Sequence, residues 1–131
     1  MIGWVLSNFV VGALVVVGVA GLVAPRVASS QYGIVLDDRR ALGLIRALAI
    51  RDVVIGVLLA LLVREQARGA LAWAMFALAA VALIDLWVVT ADRRATAAAG
   101  TPWRGVDPSR YLHAGGAIGL LVTGAILRAG L

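Results

Sequence analysis

Arg51 and Asp52 stand side by side in the middle of a long apolar stretch. Asp52 lies twelve residues after Arg40 and twelve before Arg64. If that stretch crosses a bilayer as a helix, its carboxylate falls near the midplane. An ionised side chain there is costly and by default marks a functional site. Other polar groups belong to the same problem. Helix rise places Arg46 roughly 9 Å inside Arg40, Asp85 roughly 10 Å inside Asp92, and His113 roughly 5 Å past Arg110. A guanidinium, a carboxylate and an imidazole from three segments would then share one layer, with Arg51 and Asp52 deeper. Two carboxylates in unequal apolar surroundings can divide into an acid and a base. Arg keeps its charge and can orient a carboxylate or stabilise a developing oxyanion. This set suits acid–base chemistry on a neutral, lipid-soluble molecule. In epoxide opening, one carboxylate would activate water or an internal hydroxyl while the other protonates the epoxide oxygen. Double-bond isomerisation would also fit. Arg51 and Asp52 point about 100° apart on a helix. Each is therefore expected to find its partner on another segment, with Arg46 and Asp85 matched to each other by depth.

The elements that must position these groups are apolar helices. The chain has 131 residues, of which 63% are hydrophobic, and a mean hydropathy of +1.00. A small soluble core cannot hide that much apolar surface. Four apolar segments, about 3–24, 42–63, 69–91 and 109–127, are each near the ~20 residues that span a bilayer. Helices satisfy their own backbone in lipid. The expected fold is an all-α, integral membrane four-helix bundle forming one transmembrane domain. No Arg precedes the first segment and no A-x-A site follows it, so it reads as a retained helix that stops near Pro25. The segment 92–107 reads as a connector. Asp107 and Asp37 or Asp38 are candidate helix caps.

Charge sets the expected topology. The net charge is +5, and every basic residue is Arg. The absence of Lys, with heavy Ala, Val and Gly usage, points to a GC-rich genome. Arg26, Arg39, Arg40, Arg93, Arg94, Arg104 and Arg110 gather on one side; Arg64, Arg68 and Arg128 gather on the other. The arginine-rich side is expected to be cytoplasmic, with both termini outside, in a multi-pass protein of a bacterial inner membrane. The arginines lie in short loops and form no basic stripe, so nucleic acid is not an expected partner. There is no cysteine and a single histidine, which argues against a structural zinc site. No nucleotide, flavin or metal cofactor is implied. The expected partners are the bilayer, a lipophilic small molecule and, through Gly-rich faces, a second copy of the chain. Asn8 is expected to bond to another helix. The Gly115-x-x-x-Gly119 spacing is expected to favour close packing. Trp103 and Tyr111 read as interface anchors.

The stretch 46–56, Arg-Ala-Leu-Ala-Ile-Arg-Asp-Val-Val-Ile-Gly, resembles a family of small four-helix membrane proteins of unknown function. Its members carry an R-D-x-x-x-G motif on the second helix, here Arg51, Asp52 and Gly56. Asp85 and the stretch from His113 to Gly116 match more loosely. Some fungal relatives in that family belong to polyketide pathways that open epoxides. The resemblance thus implies that Arg51, Asp52 and Asp85 act on a lipophilic epoxide.

Three function classes follow. The first is a membrane-embedded acid–base enzyme using Asp52, Asp85, Arg51, Arg46 and His113. The second is a proton-coupled small-molecule exporter, which a charge in the first segment would favour; none is present there. The third is a non-catalytic membrane assembly subunit, whose polar groups would only pair and fix helix register.

Overall fold

A computed structural model describes residues 1–29, 39–98 and 108–131. All the regular structure described is helical. Four helices are long: α1 (Ile2–Val23), α3 (Arg39–Arg64), α4 (Arg68–Ala98) and α5 (Pro108–Arg128). A fifth, α2 (Pro25–Ala28), is a single turn directly after α1. Pro25 is the reason for the break. It lacks an N–H and cannot continue α1, yet it suits the first position of a new helix.

Three of these helices are long and apolar enough to cross a membrane: Ile2–Val23, Arg68–Ala91 and Arg110–Arg128. In length α3, with 26 residues, would also suffice, but Arg46, Arg51 and Asp52 interrupt its apolar run. The expected connector starting at Asp92 is corrected in part. Helix α4 runs on to Ala98, because Ala95, Thr96, Ala97 and Ala98 contain no helix breaker before Gly100. The expected caps at Asp37, Asp38 and Asp107, and the expected anchor Trp103, lie outside the described residues.

Two identical chain reversals mark one end of the molecule. After α3, Gln66 adopts a positive φ of 55°; its N–H reaches the Val63 carbonyl and the Ala67 N–H reaches that of Leu62. After α5, Gly130 has φ 79°, with Gly130 bonding to Leu127 and Leu131 to Ile126. Both are Schellman turns, which satisfy carbonyls that a helix end leaves open. The chain termini join this end, where the Gly3 N–H donates to the Leu131 carbonyl. The Arg68 guanidinium lies 5.8 Å from the Trp4 ring centroid. That of Arg128 lies 5.7 Å from the Trp73 ring. Such contacts suit a belt where an apolar body meets a wet rim.

The long helices pack as two intimate pairs. Helix α1 lies along α3 and α4 along α5; the pairs meet more sparsely, through α1–α5 and α3–α4. Glycine makes the first pair close. A Cβ on Gly18 would sit 2.6 Å from Val53 Cγ2 and 2.8 Å from the Ala49 carbonyl oxygen. One on Gly56 would sit 2.7 Å from Val15 Cγ2. The Gly115-x-x-x-Gly119 expectation is corrected within the chain. A Cβ on Gly115, Gly116 or Gly119 would meet nothing within 4 Å, because these glycines lie on the open side of α5.

The apolar core belongs to the end with the two turns. Leu59, Leu71, Ala72, Met75 and Leu127 form it, with Val11, Leu14, Ile55, Leu78 and Leu120 packed around them. Burying side chains of this size stabilises by roughly 1.5–3 kcal/mol each in water. Where lipid replaces water that gain shrinks, and close packing carries more of the cohesion.

Candidate functional site

The polar groups continue the faces that build the core. Seven residues make nearly two turns of an α-helix, so positions seven apart share a face. Asp52 is seven before Leu59, Asp85 is seven after Leu78, and His113 is seven before Leu120. On α1, the positions seven after Val11 and Leu14 are the buried Gly18 and Gly21. Moving away from the two turns, the interior faces therefore change from large and apolar to small, with three titratable groups, before the large buried Ile45 of α3 closes that end. Buried Ala49, Ala79 and Ala117 belong to the same stretch.

Asp52 is the most enclosed of the three, with a relative exposure of 7%. Ala49 and Gly56 share its buried face on α3. Their small size lets α1 lie close enough to shield the carboxylate. Arg51 Nε and Nη2 each lie 3.2 Å from the same oxygen, Asp52 Oδ1. The expectation that these neighbours cannot meet is corrected. Their Cα–Cβ bonds do diverge, but a guanidinium on a long stem can swing across that angle. Thus Asp52 is buried while Arg51 stands at the helix edge, its side chain 41% exposed.

The expected Arg46–Asp85 pair does not form. Arg46 is exposed and Asp85 half-buried, and among the described residues no ion pair joins them. The reason is helix phase: Arg46 shares its side of α3 with Val53, seven residues on, which packs against Gly18 of α1, so Arg46 lies on the side away from α4. His113 is half-buried on α5. Asn8 also departs from expectation: its Nδ2 donates to the Trp4 carbonyl of its own helix at 2.8 Å, and the residue is exposed. Ser7 and Thr123 likewise bond one turn back, to the Gly3 and Gly119 carbonyls. These hydroxyls are satisfied locally and leave the interior to the titratable groups. Among the described residues no cluster of three metal-ligating side chains forms.

The Arg51–Asp52 contact makes a measurable prediction. Arg51→Ala removes a charge partner from a buried carboxylate, a loss that Asp52→Asn should relieve. In a thermal-unfolding double-mutant cycle in detergent, the coupling should be about 1 kcal/mol. It stays at that small size because Arg51 is partly exposed. Strictly additive losses would mean that the contact contributes nothing to stability.

A family profile described as a domain of unknown function (DUF4267) matches residues 12–127. The chain belongs to the DUF4267 family. The matched region begins within α1 and ends at Leu127, so it holds Arg46, Arg51, Asp52, Asp85 and His113. No curated protein matches the chain, and no solved structure matches it. The DUF4267 assignment therefore carries no reaction with it.

Proposed function

We propose that this chain is a small membrane-embedded acid–base enzyme that opens an epoxide on a lipophilic substrate. In this reading α3 also crosses the bilayer, giving four spans. The seven-to-three distribution of arginines puts the loop side in the cytoplasm and both termini outside. A bacterial inner membrane is the setting. The observation that carries the proposal is the buried Asp52 carboxylate, paired to Arg51 halfway along α3. The three interior faces that bring Asp52, Asp85 and His113 to one half of the bundle support it.

Arg51 holds Asp52 as an acceptor, so Asp52 takes the proton of the attacking water. The water oxygen bonds to one epoxide carbon while the carbon–oxygen bond of the ring breaks. Asp85 or His113 gives a proton to the departing oxygen, and a vicinal diol results. The proton gained by Asp52 then returns to the donor through solvent. An internal hydroxyl in place of water gives cyclisation by the same steps. Each proton transfer of this kind contributes typically about 10²–10⁴-fold.

The test uses membranes with and without the full chain, given a panel of lipophilic epoxides in ¹⁸O-labelled water. The expected result is a chain-dependent product that is a diol carrying one labelled oxygen, or an unlabelled cyclic ether where the substrate has its own hydroxyl. Equal product in both membranes across the panel would overturn the assignment. A pH-gradient-driven flux of unchanged compound would instead identify an exporter.

A further inference from the structure

We propose that the gap between α1 and α5 is a slot for one hydrocarbon chain, the tail of a membrane-dissolved molecule whose reactive end lies at Asp52. The inference deepens the acid–base reading above and rests on it only for that reactive end. The slot shows on a single side of α5. Gly116 and Thr123 lie seven residues apart and so share a side of the helix, which Leu127 continues. Thr123 is 2% exposed and Leu127 1%, and Leu127 stands against Gly3 of α1. Gly116 is exposed, and a Cβ on it would meet nothing within 4 Å. The side of α5 that packs on α1 near the turns is thus open farther along. Gly119, one turn nearer, and Leu112, one turn beyond, are exposed with it. The side of α5 towards α4 stays closed. Ala117 is 1% exposed, and a Cβ on Gly124, seven residues on, would meet Phe76 of α4 at 2.8 Å. Helix α5 therefore keeps to α4 while it parts from α1, in line with the sparse α1–α5 packing.

The gap stands at the depth of the buried carboxylate. Gly116 lies twelve residues before Arg128 and Asp52 twelve before Arg64, each roughly 18 Å along its helix from that end. Asp52 shares its side of α3 with Leu59, which meets Leu127 in the core. The carboxylate and Gly116 therefore look onto one interior, and His113, one turn beyond Gly116, borders it. The other seams are filled at this level. Gly18 and Gly56 bring α1 onto α3, and half-buried Leu48 and Ile55 occupy the α3–α4 side. Both walls of the slot belong to helices apolar enough to cross a membrane, so it opens onto lipid. The α1 wall offers half-buried Val10, Leu14 and Val17; the α5 wall is bare backbone at Gly116 and Gly119. A slot that is apolar along its length, with a carboxylate at its inner end, fits a chain with one polar reactive group. Apolar burial holds such a ligand while a few polar groups orient it.

The test uses the full chain in native membranes, photolysed with a straight-chain fatty alcohol that carries a diazirine near its far end. Labelled residues are mapped by mass spectrometry. The expected result is saturable labelling of residues 112–119 and 10–17, displaced by an excess of the unlabelled alcohol. Gly116→Leu fills the slot and should cut that labelling about tenfold. Its unfolding temperature should hold or rise, because the space is open and Leu is the better helix former. Gly115→Leu points outward, in the row of exposed Ile118 and Val122, and should leave the labelling unchanged. Labelling spread evenly over the outer faces would overturn the proposal. So would the absence of saturation, which a second copy filling the gap would give. Labelling indifferent to Gly116→Leu, an equal loss in Gly115→Leu, or a lower unfolding temperature for Gly116→Leu would overturn it as well. The readout is binding and not turnover. Saturable labelling without epoxide turnover leaves the slot standing, whereas turnover without saturable labelling removes the slot and keeps the reaction.

Discussion

Asp52→Asn is expected to lower the proposed epoxide turnover by about 10²–10⁴-fold, the usual contribution of a positioned base. Asn keeps the shape of Asp and can still accept a hydrogen bond from Arg51, but it cannot take a proton from water. The fold should tolerate the change, since Asp52 sits beside small residues and no larger group is introduced. Helical content and yield after detergent extraction serve as the control. The decisive comparison is kcat against KM. Loss of a base lowers kcat with KM little altered, whereas loss of substrate binding raises KM. Full turnover by the folded Asn variant would remove Asp52 from the mechanism.

Gly18→Ala should be the most damaging single-carbon change in the molecule. Its Cβ would stand 2.6 Å from Val53 Cγ2, 2.8 Å from the Ala49 carbonyl oxygen and 2.9 Å from the Val53 nitrogen. Two of those atoms are backbone and cannot swing aside. Overpacking of this kind costs about 1–3 kcal/mol. Relief comes only by pushing α1 away from α3, which also uncovers Asp52. The expected signs are a lower unfolding temperature in detergent and reduced activity together. Gly119→Ala is the matched control. It has open space around it and better helix propensity, so stability should hold or rise by up to about 1 kcal/mol. An unfolding temperature for Gly18→Ala equal to that of the unaltered chain would mean that α1 and α3 do not approach this closely.

The long helices are legible in the apolar runs because helix length and hydrophobic length coincide. Asp52 is legible too, since a lone carboxylate in such a run must be enclosed or paired. Gly56 beside it was readable as room for close approach, and Val15 of α1 takes that room. The Arg51 contact was not legible. Helical angles describe where a side chain starts, not where a long flexible one ends. The glycine spacing on α5 misled for another reason. Spacing tells that residues share a face but not whether the face turns inward. Gly18, Gly56 and Gly124 do the close packing, and no two of them share a helix, so no spacing announces them. The failed Arg46–Asp85 pair shows that equal depth brings charges to one level without turning them towards each other, since Arg46 shares the side of α3 that Val53 packs on α1.

The contrast between α3 and the other long helices bears on how the protein is made. Segments as greasy as α1 partition from the translocon into lipid unaided. If α3 also crosses, as proposed, its three charged residues resist entry, a charge at the centre adding about 2.5–3.5 kcal/mol on insertion scales. Synthesis delivers α1 first, with the glycine groove that fits α3 already in place. On that reading the nascent chain carries its own receiving surface for a segment that lipid alone would refuse.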